Sequence, residues 1–85
     1  MIHKYTLVIV LYIYTRHALG KIDAFGLEKE EVDAVIKKGV KWKEEKREIW
    51  HANMGNIEVV FAKSESDIVI ITVYEARWKN EMRIL

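Results

Sequence analysis

The chain has no cysteine, no proline and no glutamine among its 85 residues. Without thiols it can form neither disulfides nor thiolate metal sites. A zinc site would have to be completed by carboxylates beside His3, His17 and His51, which lie far apart in sequence and outside any ligand spacing such as H-x-x-x-H. No metal and no cofactor is therefore expected. Only four glycines occur, none of them grouped into a phosphate-binding loop. There is also no G-x-S-x-G elbow and no sign of a serine or cysteine triad. These absences remove most familiar enzyme classes.

An excess of one charge is missing too. Fourteen Lys and Arg face thirteen Asp and Glu, for a net charge of +1, and the isoelectric point is near 8.0. Strong nonspecific nucleic-acid binders usually exceed a pI of about 9, because affinity grows with the number of phosphates neutralised. RNA binding would need a locally concentrated basic patch. The longest greasy run, Thr6–Tyr14, stops at Arg16 and His17, well short of the ~20 apolar residues of a membrane-spanning helix. Ala18-Leu19-Gly20 is a poor cleavage site for a signal peptide. The β-branched and aromatic content of the run instead predicts a long strand buried on both faces, in a soluble, cytoplasmic protein.

What is present suits one small domain, residues 1–85. Hydrophobic residues make up 51% of the chain and charged residues 32%, enough for a core and for solubility. The charge is carried mostly by Lys and Glu, a bias that fits a thermophile relying on ion-pair networks. A domain of this size buries only about 60–65% of its unfolded surface, so a partner or a second copy would add useful burial.

Thr15 is a good N-cap after the first strand. Ala18, Leu19, Ile22 and Phe25 follow at helical spacing, and Gly26 is placed to end that helix in a left-handed conformation. A second helix is expected over roughly Glu28–Lys38, with Val32, Val35 and Ile36 as its apolar stripe. Its acidic start and basic end complement the helix dipole. The rest reads as a meander: a short strand at Val40–Trp42, a charged loop, and strands over Arg47–Ala52, Ile57–Lys63 and Ile68–Glu75. The tail Ala76–Leu85 is either a helical turn or an edge strand. The expected class is α+β, a helical N-terminal half on an antiparallel sheet. Strand parity sets Trp50, Ile57, Val59, Phe61, Ile70, Thr72 and Tyr74 on one face. It sets Arg47, Ile49, His51, Glu58, Val60, Ile71, Val73 and Glu75 on the other.

His17 sits in the first turn of the first helix beside Arg16, one turn from Lys21. Neighbouring cations favour its neutral imidazole, which can act as a base near pH 7. The alternative is a boundary histidine donating one hydrogen bond to the backbone. Arg47, His51 and Lys63 on strands, with Arg77 just after one, lie near Trp50, Tyr74 and Trp78. Such an arrangement offers charge for phosphates and rings for unpaired bases. Alternatively those rings are core and the cations pair with glutamates. The run K-W-K-E-E-K-R-E (41–48) reads as a solvated loop in which Trp42, if unpacked, is an anchor for a partner.

The string Tyr14-Thr15-Arg16-His17-Ala18, Gly26-Leu27, Glu31-Val32 opening a helix that ends at Gly39, and the closing Ile71-Thr72-Val73-Tyr74 resemble a family of small prokaryotic domains. The family is domain of unknown function 4258, akin to RelE/ParE-type toxins. The resemblance implies the RelE-like fold, two N-terminal helices on a four- to five-stranded antiparallel sheet. It also implies metal-independent endoribonuclease activity in a toxin–antitoxin system, with RNA as substrate and an antitoxin as protein partner. Carried onto matching positions, His17 is the candidate base or acid, and Thr72 and Tyr74 are candidates for phosphate hydrogen bonding or proton transfer. Arg16, Arg47 and Lys63 are candidates for phosphate binding. The greasy N-terminal segment suggests strand pairing between two copies, hence a homodimer. The competing expectation is a catalytically silent member of the same fold, an interaction or dimeric structural module.

Overall fold

The computed structural model describes residues 10–75, in which β1 (Tyr12–Tyr14), α1 (Arg16–Phe25), α2 (Lys29–Lys38), β2 (Val40–Lys43), β3 (Trp50–Met54), β4 (Ile57–Ser64) and β5 (Asp67–Glu75) follow in order. The greater part of the expected N-terminal strand, His3, Arg77, Trp78 and the tail 76–85 lie outside the described residues. Both helices carry the ends anticipated for them. The Thr15 hydroxyl accepts from the Ala18 N–H at 3.0 Å. Gly26 closes α1 at φ 68, and the Leu27 N–H reaches back to the Ile22 carbonyl at 2.9 Å. At the start of α2 the Glu28 N–H donates to the Glu31 side chain at 2.8 Å.

The five strands form one sheet in the order β1-β5-β4-β3-β2. From β2 to β5 it is the expected antiparallel meander, but β1 lies parallel to β5, Tyr12 opposite Ile68 and Tyr14 opposite Ile70. The antiparallel sheet expected from sequence is thus corrected to a mixed one. The reason is connectivity: α1 and α2 carry the chain from one edge, β1, across to the other, β2. The last strand then returns beside the first in the same direction.

Both helices cover one face of this sheet, α1 over β5 and β1, α2 over β3 and β4. Ala18, Ile22, Val32, Val35 and Ile36 pack there on Ala52, Val59, Phe61, Ile70 and Val73. At the corner between α2 and β2, a Cβ on Gly39 would lie 2.6 Å from the backbone oxygens of both Val35 and Asn53. Only glycine lets the chain turn so tightly against β3. β1 is fastened to α2 by its tyrosines. The Tyr14 hydroxyl donates to Asp33, and Lys29 and Lys37 lie over the Tyr14 and Tyr12 rings. Burial and Asp33 raise the pKa of both phenols.

One irregularity decides which side chains meet. The β4–β5 register shifts between Val60 and Phe61: Val60 stands opposite Thr72, but Phe61 stands opposite Ile70, so Ile71 is left over. This β-bulge inverts parity along the end of β5. Val73 drops into the core, whereas Thr72 and Tyr74 turn to the open face beside Val60 and His51. The simple alternation expected from sequence had placed these three the other way.

Candidate functional site on the open face of the sheet

The open face carries a cavity of about 280 Å3 lined by Glu44, Arg47, Ile49, His51, Val60, Ile71, Thr72 and Tyr74. A larger hollow of about 400 Å3 lies between the end of α1 and the start of α2, lined by Leu19, Ile22, Asp23, Leu27, Glu28, Lys29 and Glu30. It is more open and gathers surface carboxylates. The smaller cavity is the better candidate, because polar groups of unlike character converge on apolar walls there.

Its rim is built around His51 on β3. Nδ1 lies 2.8 Å from Glu58 Oε2 on β4, and Nε2 lies 2.7 Å from Glu44 Oε2 in the loop after β2. Burial pulls the imidazole pKa down, but hydrogen bonds and charge from Glu44 and Glu58 outweigh it, and the net shift is upward. When protonated, the ring donates to both carboxylates. These sit on opposite edges of the ring and do not converge on a common point. Among the described residues no group of three or more acidic or histidine side chains is placed to hold a metal.

Arg47 Nε donates to Glu44 Oε1 at 2.7 Å. Arg47, then His51, hold the Glu44 carboxyl below its ordinary pKa, and Glu44 raises that of Arg47. The Trp42 indole stacks on the His51 ring, centroids 5.2 Å apart and planes 7° from parallel. Trp42 remains 44% exposed, so it is both packed on one side and open on the other. Deeper in, Thr72 is only 7% exposed and its hydroxyl has no hydrogen-bond partner among the described residues. Nearly all buried polar groups are paired, so this one calls for an explanation.

The residues singled out from sequence separate into three places. Thr72, Tyr74 and Arg47 share the cavity. Arg16 and His17 are exposed on the first turn of α1 and do not line it, but their motif is anchored beside it. The Thr15 hydroxyl donates to the Ile71 carbonyl at 3.0 Å, and the Thr15 N–H to Ile70 at 3.1 Å. Lys21, one turn beyond His17, brings its Nζ to 5.4 Å from the Tyr74 ring centroid. Lys63 lies on the helix-covered side, its Nζ 4.1 Å from the Trp50 ring centroid. Glu44 and Glu58 were not singled out from sequence. Glu44 is hidden in the balanced charge run, and only the strand register brings either carboxylate to His51.

This architecture defines an α+β domain with a mixed five-stranded sheet, two helices on one face and a polar cavity on the other. The family profile described as "Domain of unknown function (DUF4258)" matches residues 14–75, and the chain belongs to that family. Among curated proteins none matches the chain. Among solved structures, the fold is similar to a chain of the toxin–antitoxin complex RelBE2 from Mycobacterium tuberculosis. The TM-score is 0.54 at 15% identity, covering 76% of this chain and 95% of that one. It is also similar to a chain of the RelB–RelE antitoxin–toxin complex from Methanococcus jannaschii, with a TM-score of 0.59 at 8% identity, covering 82% and 96%. At such identities the likeness is one of fold alone. It is a likeness to chains within antitoxin–toxin complexes and does not establish the RelE-like, all-antiparallel arrangement expected from sequence. Among the described residues no helix is long and apolar enough to cross a membrane.

Proposed function

We propose that this chain acts in a toxin–antitoxin type system as a metal-independent endoribonuclease held in check by a protein partner. The observation that carries this reading is the junction of two motifs. Thr15-Arg16-His17 opens α1 hydrogen-bonded to the Ile70–Ile71 backbone, and Thr72 and Tyr74 face the adjoining cavity. The fold likeness to chains of two RelB–RelE complexes supports the system assignment.

In the proposed reaction a base removes the proton of an RNA 2′-hydroxyl, and O2′ attacks the adjacent phosphorus. The P–O5′ bond breaks, and an acid protonates the departing O5′. The products are a 2′,3′-cyclic phosphate and a 5′-hydroxyl. His17 and Tyr74, on the two sides of the junction, are the proton-transfer groups of this reading. Arg16 and Lys21 are the nearby cations for the phosphate. His51 is not a free acid or base, since both its ring nitrogens are engaged by carboxylates.

A second reading, a silent interaction module or homodimer, is favoured by the exposed apolar side chains of the open face. Leu11, Ile13, Val40 and Trp42 are each at least 44% exposed. The discriminating experiment is cleavage of mixed single-stranded RNA in EDTA by the wild type, His17→Ala and Tyr74→Phe. The ribonuclease reading expects cleavage by the wild type and a loss of about 100-fold or more in each variant. No cleavage by any of the three gives the function to the interaction module.

A further inference from the structure

We infer that the free edge of β2 is a docking edge for an extended segment of a different protein, in which acidic residues alternate with apolar ones. This rests on the proposal that the chain is held in check by a protein partner, and it assigns that partner a strand, a mode of pairing and a chemistry.

β2 closes one side of the sheet, with β3 on its inner side and no strand on its outer side among the described residues. Its backbone polarity follows from the loop beyond it. The Glu44 N–H donates to the Ile49 carbonyl at 2.9 Å, and antiparallel hydrogen bonds join alternate residue pairs. Val40 and Trp42 therefore bond to Asn53 and His51, and Lys41 and Lys43 turn their N–H and C=O groups outward. The side chains alternate in step. Lys41 stands opposite the fully buried Ala52 and so lies on the helix-covered side, and Lys43 shares that side. Val40 and Trp42 lie on the open face, 72% and 44% exposed. Outward backbone groups beside an exposed aliphatic and an exposed indole are what an incoming strand covers.

The charges select the occupant. A second copy pairing antiparallel would have to use the same outward groups, so every such register sets Lys41 or Lys43 directly against Lys41 or Lys43 of the other copy. Like charges so placed are destabilising, and edge lysines guard a sheet against self-pairing. Neither cation is neutralised within the chain. Lys41 Nζ donates to the Ile36 and Gly39 carbonyls at 2.7 and 3.0 Å, which satisfies N–H groups and leaves the charge. Lys43 Nζ lies 3.4 Å from Glu48, whose side chain is 89% exposed, a surface pair of little strength. A foreign strand with Asp or Glu opposite these lysines gains where a second copy loses. Its alternate residues, if apolar, cover Val40 and Trp42.

Short peptides alternating valine with glutamate, or valine with lysine, are titrated against the intact chain at neutral pH, and amide hydrogen exchange is followed residue by residue. Expected is binding of the glutamate peptide, about tenfold weaker binding of the lysine peptide, and slowed exchange of the Lys41 and Lys43 amides. The Val40 and Trp42 amides, already bonded to β3, change little. Lys43→Glu, at an exposed position of the edge, narrows the preference between the two peptides, and Trp42→Ala weakens the glutamate peptide by about tenfold. Equal binding of both peptides overturns the inference, as does binding that leaves the Lys41 and Lys43 amides unprotected, or no binding at all. A wild-type dimer that protects those amides gives the edge to a second copy and overturns the choice of occupant. Binding of the glutamate peptide at this edge without RNA cleavage sinks the ribonuclease reading and leaves the docking edge standing. Cleavage without peptide binding does the reverse.

Discussion

The two faces of this sheet are cut from the same strands yet are built on different rules. The covered face is closed and apolar: Ala52, Val59, Phe61, Ile70 and Val73 are fully buried beneath the helices. The open face alternates half-exposed aliphatics with a hydrogen-bonded charge cluster and one buried hydroxyl without a partner. The first arrangement is what stability demands, since apolar area leaves water and every helix end is capped. The second is poor for stability on its own account, because charged groups are partly desolvated and a hydroxyl is stranded. A face that gives up stability while its reverse is optimised is the face to examine for function.

The largest expected effect tests whether the covered face carries the fold. Phe61 is fully buried between the helices and β3–β5. Phe61→Ala is expected to cost about 4 kcal/mol, a large share of the ~5–15 kcal/mol total stability of a domain. Ile13→Ala, at the edge of the open face and 44% exposed, is expected to cost about 1 kcal/mol. Urea denaturation of the two variants makes the comparison, and equal losses would abolish the distinction between the faces.

A smaller effect, dependent on pH, sharpens the open face. His51 has a raised pKa in the folded chain, so its bonds to Glu44 and Glu58 contribute fully below its unfolded value of about 6.5. That contribution is lost as pH rises through the higher folded value, where the neutral ring has only one N–H left to donate. His51→Gln is therefore expected to lose about 2 kcal/mol at pH 5.5 and progressively less as the pH rises through the raised folded value. A gap that stays constant would mean that folding leaves the His51 pKa unshifted, and one that widens with pH would mean that burial outweighs the carboxylates and lowers it.

Much of the covered face was legible in the sequence, because its signals are local. Thr15, Gly26, the stripe Val32–Val35–Ile36 and the charge gradient along the second helix each specify structure within one or two turns. The open face was legible only in part, because its geometry depends on pairing between distant strands. The direction of β1 is set by a two-helix crossover that no local pattern encodes. The bulge at Val60/Phe61 moves Thr72 and Tyr74 to the opposite face from the one alternation predicts, and so into company with His51. Glu44 looked like one charge among seven in a solvated run. Nothing short of the β2–β3 register, with Trp42 opposite His51, places it against the imidazole.

The smallest effect has the most unusual sign. Removing a polar group from a folded core usually destabilises it, since a partner is left behind. Thr72 leaves none: its hydroxyl is buried and unpaired among the described residues, and valine reproduces its shape and its β-branching in the middle of β5. Thr72→Val is therefore expected to stabilise the free protein by about 1 kcal/mol. For a domain of this size that is a rise in melting temperature of about 4–8 °C, measurable by thermal unfolding without any ligand. A fall in stability would reveal a hydrogen bond that Thr72 makes within the chain. A rise would show that the wild-type sequence retains a destabilising hydroxyl, as expected of a side chain kept for something outside the fold.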